Sequence, residues 1–434
     1  VNSEIVTYNS KQISIESADQ LDLRIRKQTI NPRIGIEFFT IDDDNFKELF
    51  EEQKENEIIR VRANCREEAI YCIVNELWHK DERRAIFVVK CKEDWEKLSE
   101  MASTGNIYIP WFWANEICAI ENNTNIFIYT DGMPSFSQNE IVLRPRTFHT
   151  ISNALEKAGM RINEANALVE ETHGLYIPMK KKIFNGQYMK RPKWMDDISS
   201  NIKKTALLVG QWTDSDGDKE IVSLLSGMKY NDFIDSLIPF SKDEDPFIHI
   251  VNTNGNRTFY LASVENSWEY LDIPCEDIIW DQFKNLFVEV LNESEKLFVY
   301  TPQERMLAQF RGERLFWSSA IRNGMIRSLI MKAYYKNDIK FQNSLDDLVS
   351  KILQYVHTEE QWKYISNFFV DLCEVAPKAI MDRLFMELEQ STGLIKLFDT
   401  QTADFILGKN CYIDILFGVD EFLVQDEYAA RGYE

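Results

Sequence analysis

The segment EIIRVRANCREEAIYCIVNELW, residues 57–78, decides the fold class of this chain. Its first seven residues, EIIRVRA, are rich in β-branched apolar side chains and predict a strand. The remainder predicts a helix, because its apolar residues recur at helical spacing on one side: Ile70, Ile73, Val74 and Leu77. A strand that passes within a few residues into a helix is the building unit of a parallel α/β sheet.

The neighbouring segments continue this alternation. Further strands are predicted at IEFFTI (36–41), AIFVVK (85–90), NIYIPWF (106–112), NIFIYT (125–130) and EIVLR (140–144). Helices are predicted at DDDNFKELFEEQ (42–53), DWEKLSEMA (94–102) and WANEICAI (113–120). Together these elements predict a parallel, Rossmann-like sheet.

The later parts of the chain predict a second class of structure, so the expected fold is α/β plus α. Two helices and the hairpin FIHIVNTNGNRTFYLAS are typical of a winged helix, and the last third is almost wholly helical. We expect five parts: an N-terminal linker or remnant (1–50), an α/β domain (51–146), a helical lid with a basic connector (147–199), a winged-helix domain (200–275) and a helical, repeat-like domain (276–434).

Composition excludes several classes of protein. The 434 residues carry a net charge of −21, and no apolar run approaches the length of a membrane span. The seven cysteines are scattered without a C-x-x-C pair, which argues against a zinc site or a disulfide framework and favours a reducing cytoplasm. The first residue is not Met, and we expect a piece of a longer protein.

The stretch TDSDGDKEIVSLLSG, residues 213–227, resembles a calcium loop because three aspartates stand at alternate positions. A loop of that type needs a glycine at its sixth position and a glutamate at its twelfth, where this chain has Lys219 and Leu225. The stretch instead predicts a helix start that is capped by Asp218 and a helix end at Gly227.

The turn after the first strand is where a phosphate-binding loop would stand, at Asn64, Cys65 and Arg66. Such a loop needs glycines and a lysine, and no G-x-x-x-x-G-K-[ST] motif occurs in the chain. The helix start and Arg66 could still attract an anion, so ATP with Mg²⁺ stays an alternative to ordinary strand-to-helix packing. Cys65 could have a lowered pKa at this helix start. Magnesium chemistry has little support, because the end of the next strand carries Lys90 instead of an acid.

The basic connector forms a second candidate site. Its cations are interleaved with Phe184, Tyr188 and Trp194, a mixture that could bind a nucleic acid or a protein partner: Lys180, Lys181, Lys182, Lys190, Arg191 and Lys193. The alternative is a solvated strap whose aromatic rings dock on its neighbours. Residues 211–280 carry 14 acids against 4 bases, so the winged helix is expected to contact protein, and nucleic acid is an unlikely partner.

In their order along the chain, ten segments resemble the core of large bacterial antiphage STAND-type NTPases, the Avs-like group. The segments are VRANCREEAIYCIVNEL, AIFVVKCKEDWEKL, IYIPWF, IVLRPRTFHTISNALEKAGM, RPKWM, QWTDSDGDKEIVSLLSG, SVENSWEYL, TPQERMLAQFRGERLFWSSAIRNGM, EVAPKAIMDRLFMELE and CYIDILFGVDEFLVQDEY. The resemblance covers roughly residues 55–430. It implies a degenerate P-loop NTPase-like domain, a winged helix and the start of a helical sensor.

The resemblance also implies a function. This chain would be a cytoplasmic regulatory core that senses a phage protein, self-associates and switches an effector domain of the same longer chain. A working STAND ATPase has a Walker lysine and an acidic Walker partner, and this sequence has neither, which argues against ATP hydrolysis. Two other hypotheses stay open, an ATP-binding switch and a non-catalytic scaffold. We find no catalytic triad, metal cluster or paired acids with a supporting motif.

Overall fold

The computed structural model describes most of the chain, and the statements below concern the described residues only. They are residues 4–8, 11–42, 46, 57–78, 85–101, 104–112, 117–130, 140–184, 191–242, 246–253, 255–293, 300, 304, 307–308, 315–336, 338–390, 393–399 and 411–424. The chain divides into two compact units. The first comprises Val1–Ile198, Leu237–His249 and Tyr260–Tyr270, and the second comprises Ser199–Ser236, Ile250–Phe259 and Leu271–Glu434.

The first unit is built on a seven-stranded sheet. In chain order its strands are β1 (Glu4–Tyr8), β2 (Lys11–Ser17), β3 (Ile58–Ala63), β4 (Ile86–Val89), β5 (Ile107–Pro110), β6 (Thr124–Thr130) and β7 (Glu140–Val142). The strand order is β1-β2-β4-β5-β6-β3-β7. Strands β4, β5, β6, β3 and β7 are parallel, whereas β1 and β2 form an antiparallel extension beside β4. The predicted α/β class is therefore confirmed.

The helices of the first unit connect and cover this sheet. They are α1 (Ala18–Gln28), α2 (Arg66–Trp78), α3 (Lys92–Ser99), α4 (Phe148–Lys157), α5 (Ile162–Thr172), α6 (Tyr176–Ile183), α7 (Trp194–Asp197) and, much later in the chain, α11 (Val264–Tyr270). Every residue of β6 is buried, as expected for a parallel strand that is covered on both faces. The helical face predicted from Ile70, Ile73, Val74 and Leu77 is also buried.

Three local predictions need correction or fall outside the described residues. IEFFTI does not form a strand, because Ile36–Phe38 is a 3₁₀ helix. WANEICAI is not helical at residues 117–120, and its residues 113–116 are not described. Apart from residues 42 and 46, the predicted helix at 42–53 is not described either.

The next part of the chain, residues 200–261, forms helices and a small sheet, and its residues 237–249 and 260–261 belong to the first unit. Helices α8 (Ser200–Val209), α9 (Asp216–Ser226) and α10 (Tyr230–Leu237) accompany strands β8 (Gln211–Thr213), β9 (Ile248–Thr253) and β10 (Asn256–Leu261), in the sheet order β8-β10-β9. Gly227 ends α9 with φ of 65°, and Gly255 in the hairpin has φ of 86°. Both positions need the left-handed conformations that glycine tolerates, as the sequence predicted.

All regular elements described after Tyr270 are helices. These helices are α12 (Ile278–Leu291), α13 (Ser319–Lys336), α14 (Ile339–Leu353), α15 (Glu359–Ser366), α16 (Phe369–Val375), α17 (Pro377–Gln390), α18 (Gly393–Asp399) and α19 (Cys411–Val424). Pro377 is the first residue of its helix, where a missing backbone N–H costs nothing. Among the described residues, none of the helices combines the length and apolarity needed to cross a membrane.

Candidate functional sites

The β3–α2 turn holds the residues predicted at a phosphate-loop position. Asn64 and Cys65 are the whole connection, and Arg66 is the first residue of α2. The cavity beside the turn measures about 20 Å³, which is room for about one water molecule. The turn is therefore too short and too closely packed to wrap around a phosphate group in this conformation.

Carboxylates surround the same turn. Arg146, which lines the cavity beside the turn, is buried and donates from Nε to Glu68 at 2.9 Å, so its guanidinium is already paired with a carboxylate. Burial raises the pKa of the Cys65 thiol well above its usual value, and Glu265, Glu68 and Glu67 add to the rise. The prediction that Cys65 has a lowered pKa is wrong, since burial and neighbouring carboxylates outweigh the helix start.

Arg66 acts on a buried histidine. Burial lowers the pKa of His249 to about 3, and the positive charge of Arg66 lowers it further. His249 belongs to the same unit as the turn and is 2% exposed. The imidazole of His249 is therefore neutral, and the positive charge of Arg66 favours that neutral form.

The basic connector is partly helical, and its described cations mostly have acidic partners. Lys180, Lys181 and Lys182 lie on α6 instead of in an extended segment. The ion pairs are Lys180–Glu67 at 2.5 Å, Lys181–Glu269, Lys182–Glu171 at 2.5 Å and Arg191–Asp196 at 2.9 Å. Lys193 is exposed, and Lys190 lies outside the described residues. This pairing reduces the positive charge that a nucleic-acid backbone would need.

The aromatic residues of the connector are packed inward where they are described. Phe184 and Trp194 are each 3% exposed, and the ring of Trp194 lies 4.6 Å from that of Phe247 between centroids. Tyr188 is not among the described residues. Buried rings cannot stack on bases, so the packed strap is the better interpretation of this segment.

The aspartate-rich stretch at 213–227 forms a helix start, and its cap differs from the predicted one. Ser215 is the N-cap of α9, and its hydroxyl accepts from the Asp218 N–H at 3.3 Å. The Asp218 carboxylate instead accepts from the backbone and hydroxyl of Thr213, both at 2.7 Å. Asp214 pairs with Arg257 at 2.6 Å. Protein donors thus occupy two of the three carboxylates that a calcium loop would use.

A cluster that the sequence did not identify lies at the carboxyl ends of β4 and β5. We call it the carboxyl-edge cluster, and it consists of Glu16, Arg24, Glu67, Tyr71, Lys90, Trp111 and Lys180. Lys90 directly follows β4 and Trp111 directly follows β5, and Val89 is paired with Pro110 across these parallel strands. Ligands of open α/β sheets bind at this edge, a rule that could have drawn attention to both residues.

The charged groups of the carboxyl-edge cluster form one continuous chain of contacts. Glu16 accepts from Arg24 Nε at 2.8 Å and from Arg24 Nη2 at 3.2 Å, and it also accepts from Lys90 Nζ. Arg24 Nη1 reaches the Tyr71 hydroxyl at 3.4 Å. That hydroxyl donates to Glu67 at 2.7 Å, and Lys180 Nζ donates to the other Glu67 oxygen at 2.5 Å.

Two cations of this cluster lie against the ring of Trp111. Lys90 Nζ lies 4.2 Å from the Trp111 ring centroid, and the Arg24 guanidinium carbon lies 4.9 Å from it. Both cations therefore make cation–π contacts with this ring. Burial lowers the pKa of Lys90 to about 8, with a further contribution from Arg24, although Glu16 and Glu67 oppose the change. Burial and Glu67 raise the pKa of Tyr71 well above its usual value, so this phenol is neutral.

Within the described residues, no group of three or more His, Cys, Asp or Glu side chains is arranged to hold a metal ion. No protein-family model matches the chain, and no curated protein sequence matches it.

Proposed function

We propose that this chain is the regulatory core of an Avs-like, STAND-type antiphage defence protein. In this proposal a degenerate NTPase-like domain (51–146), a helical lid and connector (147–199) and a winged helix (200–275) form a cytoplasmic switch. The helical domain (276–434) is the start of a sensor that binds a phage protein. Binding leads to self-association and activates an effector domain in the same longer chain.

The order of elements supports this proposal. Strand β3, which lies between β6 and the edge strand β7, passes directly into helix α2, and this is the strand-to-helix unit on which a phosphate-binding loop is built. Helices α4 to α6 follow the sheet, and then two helices precede the β9–β10 hairpin, as in a winged helix. The regular elements described after Tyr270 are all helices, as expected for a helical array.

The β3–α2 turn is the observation that decides how such a switch would work. The turn has two residues, no glycine and no lysine, and the carboxylates of Glu67, Glu68 and Glu265 act on it electrostatically. A triphosphate in this place would meet negative charge and would lack converging backbone N–H groups. The proposed switch therefore responds to protein contact and does not depend on ATP hydrolysis.

A thermal-shift measurement separates this switch from the ATP-binding alternative. A ligand that binds only the folded state raises the melting temperature. If the β3–α2 turn holds no nucleotide, the wild-type chain and Arg66→Gln should show the same change in Tm with millimolar ATP and Mg²⁺, relative to Mg²⁺ with an ionic-strength-matched salt. A concentration-dependent rise that disappears in Arg66→Gln would establish the nucleotide-binding switch instead.

A phage-challenge experiment tests the defence function. Bacteria that carry the full-length gene are infected with a panel of phages, and the protein is recovered before and after infection. The proposal expects protection against at least one phage, together with a larger assembly that contains a phage protein. Absence of protection, with the same host partners recovered in both conditions, would identify a scaffold.

A further inference from the structure

We propose that the carboxyl-edge cluster binds the phosphate or carboxylate group of a small molecule, which Lys90 and Arg24 hold above the ring of Trp111. This inference does not depend on the antiphage proposal. It concerns the side chains at the ends of β4 and β5, and the cluster shares Glu67 with the surroundings of the β3–α2 turn.

The balance of charge within the cluster is the first argument. Among the described residues, the cations of Arg24, Lys90 and Lys180 pair with only two carboxylates: those of Glu16 and Glu67. Tyr71 contributes no negative charge, because its pKa is raised. One positive charge is thus left without a counter-ion in partly desolvated surroundings, and such a charge is costly until an anion joins it.

The geometry of Glu16 is the second argument. Its two oxygens accept from Nε and Nη2 of Arg24 and from the ammonium of Lys90, and its side chain is only 6% exposed. Planar oxyanions prefer this forked arrangement of donors. The chain thus already holds one carboxylate in the manner in which an external oxyanion would be held, and the two would compete for the same donors.

Access to solvent is the third argument. The side chain of Lys90 is 26% exposed and that of Arg24 is 17% exposed, so both side chains are partly accessible from solvent. Both cations contact the half-buried ring of Trp111. Partial removal from solvent strengthens a charge-assisted hydrogen bond relative to one at an open surface.

The position of Lys90 and Trp111 in the sheet is the fourth argument. They follow adjacent parallel strands, and ligands bind beyond the carboxyl ends of such strands. At the β3–α2 turn, Glu68 and Glu265, which lie outside the cluster, add negative charge to that of Glu67. A small anion that binds this unit is expected to choose the carboxyl-edge cluster.

The test uses inorganic phosphate as the probe, with sodium acetate as a second arm that shows whether a carboxylate suffices. Tm is measured at pH 7 against phosphate concentration, with chloride at equal ionic strength as the reference. We expect Tm of the wild-type chain to rise with phosphate or with acetate. Lys90→Gln should weaken the fitted affinity by about tenfold or more, because a charge-assisted contact is lost. Lys90→Arg, which keeps the positive charge, should retain most of the wild-type affinity for the anion.

Two further variants make the test specific. Glu16→Gln removes the competing internal carboxylate and should tighten binding several-fold, whereas a purely structural role for Glu16 predicts only a lower Tm. Lys182→Gln removes a lysine in a comparable ion pair with Glu171 and should leave the affinity unchanged. No rise in Tm of the wild-type chain with either anion, or an equal rise in Lys90→Gln, would overturn the proposal. Loss of binding in Arg66→Gln but not in Lys90→Gln would also overturn it.

Discussion

The backbone N–H of Ser318 donates to the carboxylate of Asp218 at 2.9 Å, and Asp218 is completely buried. The Ser318 hydroxyl donates to the same carboxylate at 2.5 Å. Glu293 accepts from the two preceding N–H groups, those of Phe316 at 2.7 Å and Trp317 at 3.4 Å. Three successive N–H groups before α13 are therefore satisfied by two carboxylates, which also suits the positive end of the helix dipole.

Removal of the Asp218 carboxylate should destabilise the second unit. Asp218→Ala leaves the donors of Thr213 and Ser318 without their acceptor, and we expect the free energy of unfolding to fall by about 2–4 kcal/mol. Urea denaturation followed by circular dichroism measures the change. Asp216→Ala is the matched control, because its side chain is 94% exposed. Equal effects of the two substitutions would show that the buried carboxylate does not hold this region together.

Gly324 is required by a close approach between α13 and the end of α8. A Cβ atom on Gly324 would lie 2.0 Å from the carbonyl oxygen of Val209 and 2.5 Å from the N–H nitrogen of Gln211. Alanine favours helices over glycine by about 1 kcal/mol, yet we expect Gly324→Ala to cost about 3 kcal/mol or more because backbone must move. Asn323→Ala, at the exposed neighbouring position, should change stability by less than about 0.5 kcal/mol. A neutral Gly324→Ala variant would contradict the close approach.

His249 should make the first unit sensitive to acid. Its folded-state pKa of about 3 lies below the value of about 6.5 for an unfolded chain. Below pH 6.5 the unfolded chain therefore binds a proton that the folded chain does not, and stability falls as the pH falls toward 3. Between pH 7 and pH 5 we expect the wild-type chain to lose about 2 kcal/mol more than His249→Gln.

Unfolding free energies at the two pH values, with His149→Gln as the exposed control, measure this difference. The control should behave as the wild-type chain does. If His249→Gln lost as much stability as the wild-type chain on acidification, His249 would not be held neutral by its surroundings.

The thiols should differ widely in reactivity. Cys65 and Cys72 are buried and have raised pKa values, whereas Cys118 is exposed. We expect iodoacetamide at pH 8 to modify Cys118 at least about a hundredfold faster than Cys65 in the folded chain. Peptide mass spectrometry over time gives the rates, and denaturation should remove the difference. Rapid modification of Cys65 in the folded chain would restore the reactive-thiol hypothesis.

The amino-acid sequence by itself determined the elements whose signals are local. The apolar spacing of residues 66–78, the αL glycines at 227 and 255 and the proline at 377 act through neighbours within a few residues, so they could be predicted. Where a local sequence pattern competed with tertiary packing, the structure predicted from the pattern was wrong. Residues Ile36–Phe38 form a 3₁₀ helix, although β-branched and aromatic residues favour a strand.

Tertiary structure alone decided which charged groups meet. Asp218 and Ser318 are 100 residues apart in sequence, and Glu16 and Lys90 are 74 apart. The strand order brings β2 beside β4 and thereby Glu16 to Lys90, and no local pattern encodes that neighbour. The same reason applies to the pKa of Cys65. The helix start and the neighbouring Arg66 allowed for a lowered pKa, but the loss of solvent and the carboxylates of Glu265, Glu68 and Glu67 raise it instead.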